Sequence, residues 1–134
     1  MKKKILKISL VGKTNAGKST LINNLVGELI SITNRKINTT EELITGIINY
    51  KNSQLIFYDT PGLNFKKNLN NTKNKLKKNL WEGLNNSDLI LYLIDSSKYN
   101  FTEIYNNINK LNELNKNIVF VFNKNDLIIK NSIL

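Results

Sequence analysis

Gly12-Lys13-Thr14-Asn15-Ala16-Gly17-Lys18-Ser19 stands between an alternating apolar run and an apolar run of helical spacing. Few folds accept such a stretch, because it asks for a strand, a tight loop and a helix in immediate succession. Ile5 to Val11 alternates as a strand entering a sheet does, and Leu21, Ile22, Leu25 and Val26 recur as one face of a helix. Within the loop, the glycines let successive amide N–H groups turn inward, and the helix opening at Lys18 adds the positive end of its dipole. Lys18 is placed to reach terminal phosphates and Ser19 to offer its hydroxyl to Mg²⁺. In this context a phosphate cradle is preferred over a glycine-rich turn carrying a solvated lysine. Its candidate residues are Gly12, Lys13, Thr14, Asn15, Ala16, Gly17, Lys18, Ser19 and Thr20.

Composition narrows the chemistry. The 134 residues suffice for one domain with a real core. The chain contains neither histidine nor cysteine, which excludes imidazole acid–base chemistry, thiol nucleophiles, disulfides and zinc sites built on those ligands. The formal net charge of +10 suits a polyanionic partner such as RNA. An equally good reading is a solvated surface shaped by codon bias, since Lys, Asn and Ile dominate throughout and the sole arginine is Arg35. Met1-Lys2-Lys3-Lys4 imitates the start of a signal peptide, but Lys7 and the glycine loop interrupt the apolar run, so the segment reads as the first strand. No apolar stretch approaches the length of a membrane span.

Beyond the loop helix, Leu43 to Tyr50 and Gln54 to Asp59 read as two antiparallel strands joined through Lys51-Asn52-Ser53. The second half of the Lys66 to Asn86 stretch reads as a helix with Leu76, Leu80, Trp81 and Leu84 on its apolar face. Leu89 to Ile94, bounded by Asp88 and Asp95, has the continuous apolar character of a strand covered on both faces. Asn100 and Glu103 suit the start of a helix carrying Phe101, Ile104, Tyr105, Ile108, Leu111 and Leu114, and Ile118 to Phe122 reads as another buried strand. Leu127 to Leu134 begins a further helix or turn. The alternation predicts an open α/β sheet with ligands at the carboxyl ends of its strands.

Three further elements come after the phosphate loop in order. Asp59-Thr60-Pro61-Gly62 ends a strand; its carboxylate suits Mg²⁺ and its glycine allows close approach to a γ-phosphate. Alone it would read as a surface turn. Asn123-Lys124-Asn125-Asp126 is placed directly after the Ile118 to Phe122 strand. An Asp126 carboxylate in the base plane accepts from both N1–H and the 2-amino group of guanine, which adenine lacks, so the pocket selects guanine and disfavours an ATPase reading. Lys124 would lie along the base and Asn123 would brace the loop. Thr39 and Thr40 stand where a mobile segment can fold over the γ-phosphate, and Thr40 is the preferred additional Mg²⁺ ligand.

With these elements in this order the chain resembles the translation-factor-type bacterial GTPases, and most closely the Era family. Leu29 to Thr40 is similar to the switch segment of that family, and Ile44-Thr45-Gly46-Ile47 is similar to the family's next stretch of chain. The resemblance implies an α/β fold of the P-loop NTPase type, a three-layer sandwich with a mostly parallel sheet. It implies GTP hydrolysis to GDP and phosphate with Mg²⁺, a nucleotide-controlled switch, and maturation of the small ribosomal subunit through its rRNA. A monomer, cytoplasmic and peripherally associated with the inner membrane, with no DNA partner, is the corresponding expectation. Leu63 stands where Ras-like enzymes carry a water-orienting glutamine, and Asn15 matches an asparagine that in several relatives helps hold K⁺ beside the phosphates. Lys18, Thr40 and Asn15 are accordingly the candidate catalytic residues, and Ser19, Thr40 and Asp59 the candidate metal ligands.

The family's Ser-Ala element over the guanine, its last strand and helix, and its RNA-binding KH domain have no counterpart among these residues. Glu41-Glu42 replace a basic pair. The expectation is a truncated GTP-binding domain over 1–134 with apolar surface left exposed on its sheet. Two rival readings are a decayed remnant that binds nucleotide weakly or not at all, and a basic RNA-interaction module with a vestigial loop. The intact Lys18, Ser19, Asp59 and Asp126 weigh against full decay.

Overall fold

The computed structural model describes residues 4–28, 37–38, 43–60 and 74–129. Their elements run β1 (Lys4–Gly12), α1 (Lys18–Glu28), β2 (Ile37–Asn38), β3 (Leu43–Tyr50), β4 (Ser53–Asp59), α2 (Asn74–Asn86), β5 (Leu89–Asp95), α3 (Phe101–Asn112), β6 (Asn117–Asn123) and α4 (Asp126–Ile129). They build one six-stranded sheet in the order β2-β3-β4-β1-β5-β6. The pairs β1–β4, β1–β5 and β5–β6 are parallel, and β2–β3 and β3–β4 antiparallel. The sheet is therefore mostly parallel, with a hairpin side made by the β3–β4 pair.

Alternation along β1 explains the layers. Ile8 and Leu10 point to one face, where they pack with Phe57, Leu93 and Ile22, and Leu21 and Leu25 of α1 close over them. Val11 points to the other, into a cluster with Leu80 and Leu84 of α2, Leu111 of α3 and Ile90 and Tyr92 of β5. Helices thus cover both faces, the three-layer α/β arrangement expected. Leu10, Leu84, Leu93 and Leu111 are each almost fully withdrawn from solvent. Each such burial contributes about 2 kcal/mol. Two buried polar side chains find partners within these layers: the Ser87 hydroxyl donates to the Leu84 carbonyl at 2.7 Å, and the Asn107 amide donates to the Tyr92 hydroxyl at 3.1 Å. At the amino end of β5, the Lys7 N–H donates to an Asp88 carboxylate oxygen at 2.8 Å while the Asp88 N–H returns a bond to the Lys7 carbonyl at 2.8 Å. Among the described residues no helix is long and apolar enough to cross a membrane.

Most expected elements lie within a residue or two of their observed bounds. The hairpin turn is tighter than its three-residue reading, with Ser53 already in β4 and Lys51 at φ 50°. Asn100 caps α3, its side-chain oxygen accepting from the Glu103 N–H at 3.1 Å. The described part of the last helix is the short α4 beginning at Asp126. One expectation requires correction. The Ile118 to Phe122 strand is not buried: Val119, Phe120 and Phe122 are exposed, Phe122 by 61%. Continuous apolarity reports what a strand can bury, whereas β6 lies last in the sheet order and pairs, among the described residues, with β5 alone.

Candidate functional site

Because β1, β4, β5 and β6 run parallel, their carboxyl ends share one sheet edge. Gly12, Asp59, Asp95 and Asn123 close these four strands, so the loops leaving them are neighbours despite their separation in sequence. The crevice outside such an edge is where open α/β sheets hold their ligands.

Steric limits explain the glycines of the phosphate loop. A Cβ on Gly12 would lie 2.6 Å from the Leu93 carbonyl oxygen, so only glycine lets the end of β1 sit this close to β5. Gly17 has φ +104°, and a Cβ there would run into the Asn123 side-chain amide. Inside the loop the Ala16 N–H donates to the Lys13 carbonyl at 3.1 Å, and the Leu21 N–H donates to the Gly17 carbonyl at 2.8 Å as α1 begins. Lys18 is only 8% exposed, and its Nζ donates to the carbonyls of Gly12 and Lys13, both at 3.0 Å. Ala16 is buried, while Thr14, Asn15, Ser19 and Thr20 are exposed. Lys13 turns aside to form an ion pair with Glu103 of α3 at 2.6 Å.

The segment after β6 is tied directly to this loop. Asn123 Nδ2 donates to the Ala16 carbonyl at 2.9 Å, and Lys124 Nζ donates to the Asn15 carbonyl at 2.6 Å and to Asp95 Oδ2 at 2.7 Å. Asp95 Oδ1 accepts from both the N–H and the hydroxyl of Ser97, at 3.0 and 2.5 Å. The Lys124 ammonium first, and the Ser97 hydroxyl second, hold the Asp95 carboxyl down at about 2. The Ser96 N–H donates to the Asn123 carbonyl at 2.9 Å, which continues the β5–β6 pairing to its last residue. Asp126 opens α4 with its side chain exposed, and the Leu127 N–H donates to the Lys124 carbonyl at 3.1 Å.

Asp59 pairs in register with Leu10 at the end of β4. The buried Thr60 hydroxyl donates to the Leu10 carbonyl at 2.6 Å, so this residue ties the end of β4 to β1. Thr39, Thr40, Pro61, Gly62 and Leu63 lie outside the described residues, as does the 29–36 part of the switch segment. The geometry therefore gathers residues 12–20, 59–60 and 123–126 at one edge. It also adds three residues to which sequence reasoning assigns no role at this site: Asp95, Ser97 and Glu103. The available signal is the acid closing the apolar run of β5, which from sequence alone only delimits a strand.

A family model described as 50S ribosome-binding GTPase matches residues 7–124. The chain belongs to this GTPase family. The GTPase Era of Rickettsia conorii is 41% identical over 125 residues, covering 92% of this chain and 36% of the relative. A crystal structure of a tyrosine-to-alanine variant of Aquifex aeolicus Era, bound to GDP and AlF4⁻, superposes with a TM-score of 0.68 at 35% identity. It covers 93% of this chain and 42% of that one. A second Era structure, in complex with MgGDPNP and nucleotides 1506–1542 of 16S ribosomal RNA, gives a TM-score of 0.64 at 36% identity, covering 92% and 41%. The chain thus spans well under half the length of these relatives. Within this GTPase family its resemblance to Era extends over nearly all of its own length.

Proposed function

We propose that this chain binds GTP at the carboxyl edge of its sheet and hydrolyses it to GDP and phosphate. The observation that carries the reading is the pair of bonds from Asn123 to the Ala16 carbonyl and from Lys124 to the Asn15 carbonyl. They bring residues 12–20 and 123–126 together, which supports reading them as the phosphate-binding and guanine-selecting parts of one site. One nucleotide spanning the two would meet the amide N–H groups of residues 12–17 with its phosphates and the Asp126 carboxylate with its base. Lys18 would exchange the loop carbonyls for β- and γ-phosphate oxygens, Thr14 and Thr20 would line the phosphate path, and Gly62 is assigned to the γ-phosphate on its sequence position alone.

The donor types suit Mg²⁺: Ser19, a hydroxyl residue in the first turn of α1, and Asp59, an acid at the end of the adjacent β4, with Thr40 assigned as a third donor on its sequence position. Mg²⁺, when bound, neutralises charge on the phosphate oxygens that bear it in the transition state. Leu63 cannot orient water through a hydrogen bond. Asn15, exposed on the loop at φ 67°, is the residue that would hold K⁺, which would supply positive charge beside the phosphates; hydrolysis is then expected to run faster in KCl than in NaCl. By analogy with the Era–rRNA complex, and supported by the +10 net charge, the polyanionic partner is the rRNA of the small ribosomal subunit. A monomeric cytoplasmic protein with peripheral attachment to the inner membrane completes the reading.

Titration of the purified chain with fluorescent GTP, using ATP and xanthosine triphosphate as competitors, tests it. GTP is expected to bind, ATP to compete poorly, and Lys18→Ala to abolish binding. Asp126→Asn should move preference toward the xanthine nucleotide; unchanged base selectivity in that variant refutes the site.

A further inference from the structure

The carboxylate that closes β5 takes no direct part in the nucleotide site, yet it sits at a junction of three chain segments. Asp95 Oδ2 holds the Lys124 ammonium at 2.7 Å, and that ammonium reaches the Asn15 carbonyl at 2.6 Å. Side-chain exposure is 15% for Asp95 and 31% for Lys124, so solvent competes only partly with the pair. Both loop residues joined this way adopt the left-handed backbone conformation, with φ 67° at Asn15 and 61° at Lys124. Non-glycine residues persist in that region only where surrounding contacts over-determine them. Asp95 is itself fixed, because Ser97 donates two bonds to its other oxygen and β5 pairs Asp95 in register with Asn123.

Each member of the chain has a reason to be where it is. The strand end is rigid, the carboxylate is charged and oriented, and the lysine spans from it to the phosphate loop. We propose that Asp95 is a positioning residue for nucleotide binding, which through Lys124 holds the phosphate loop and the base loop at one fixed spacing. This rests on the reading of the two loops as halves of one guanine-nucleotide site. The clamp acts on groups that GDP and GTP share, so its loss weakens both nucleotides equally and leaves turnover at saturation little changed. Ser97 supports the clamp from the far side, and truncating it leaves the Asp95–Lys124 pair intact.

The test compares Asp95→Asn, Lys124→Met, the double variant and Ser97→Ala in two measurements. The first needs no nucleotide: amide hydrogen exchange at Ala16 and Leu127, whose N–H groups bond to the Lys13 and Lys124 carbonyls inside the two loops. Asp95→Asn is expected to speed exchange at both by about tenfold, the scale of losing a hydrogen bond to a charged group, while amides in the centre of β1 stay unchanged. The second is affinity and turnover: the dissociation constants for fluorescent GDP and a GTP analogue are expected to rise together by about tenfold, with kcat within about twofold. The double variant is expected to match Lys124→Met alone, since Asp95 acts through that lysine. Unchanged exchange at Ala16 and Leu127 in Asp95→Asn overturns the proposal. So does an effect of Asp95→Asn that persists in full when Lys124 is already methionine. A wild-type chain that binds no guanine nucleotide overturns the functional reading instead, and the exchange measurement still decides whether the clamp exists.

Discussion

Replacing Gly17 by alanine adds one methyl group at the point where the two loops touch. At φ +104° the new Cβ is strained whatever the surrounding space, and here the Asn123 side-chain amide occupies the place it would take. Strain of this kind costs about 1–3 kcal/mol. Displacing Asn123 also breaks its 2.9 Å bond to the Ala16 carbonyl, a further ~1 kcal/mol. The sum, about 2–4 kcal/mol, is a large share of the stability of a domain of this size and corresponds to a fall in Tm of roughly 10 °C. Gly83 supplies the matched control. It lies within α2, and a Cβ there meets nothing within 4 Å. Gly83→Ala should therefore raise stability by about 0.5–1 kcal/mol, because alanine loses less backbone entropy than glycine on entering a helix. Thermal melts followed by circular dichroism, in parallel with fluorescent GTP titration, read both effects. Gly17→Ala is expected to melt lower and bind nucleotide poorly, and Gly83→Ala to melt slightly higher and bind as wild type. If Gly17→Ala melts within about 2 °C of the parent chain, the account of why glycine stands at this position is wrong.

Other consequences are equally direct. Asp95 titrates at about 2 in the folded chain against 3.8 as its ordinary value, so its contribution is complete above about pH 4 and disappears as the pH falls through 2. Allowing for solvent screening of a part-exposed pair, that contribution is about 1 kcal/mol, and urea melts between pH 5 and 2 should lose that much more stability in wild type than in Asp95→Asn. Tyr92→Phe removes the acceptor of the buried Asn107 amide and should cost about 1–3 kcal/mol, measured by urea unfolding. Phe122 is largely exposed on the last strand of the sheet order, so Phe122→Lys should leave the melting temperature within about 2 °C of the parent chain in thermal melts.

Residues that act through their immediate neighbours were legible from the chain alone. The phosphate loop is a local arrangement: a strand, two glycines and a helix start dictate one another over a dozen residues, so residues 12–19 could be placed before any fold was known. The Asn100 cap, the Lys51-Asn52 turn and the alternation that puts Ile8 and Leu10 on one face and Val11 on the other are local in the same sense. The guanine-selecting role given to Asp126 needed only the chemistry of a carboxylate and its place after a strand. What depended on assembling the sheet was every relation between distant segments. Apolar content could not tell an inner strand from an outer one, and β6 proved to be at the end of the order. Nothing in the local sequence around Asp95 announced a partner, because that partner, Lys124, arrives only when β5 and β6 pair in register. The steric demand at Gly17 likewise comes from Asn123, brought over from the other end of the chain. Short-range geometry is set by covalent connection and backbone preference, whereas contacts between strand ends exist only after non-local hydrogen bonding has set which strands are neighbours.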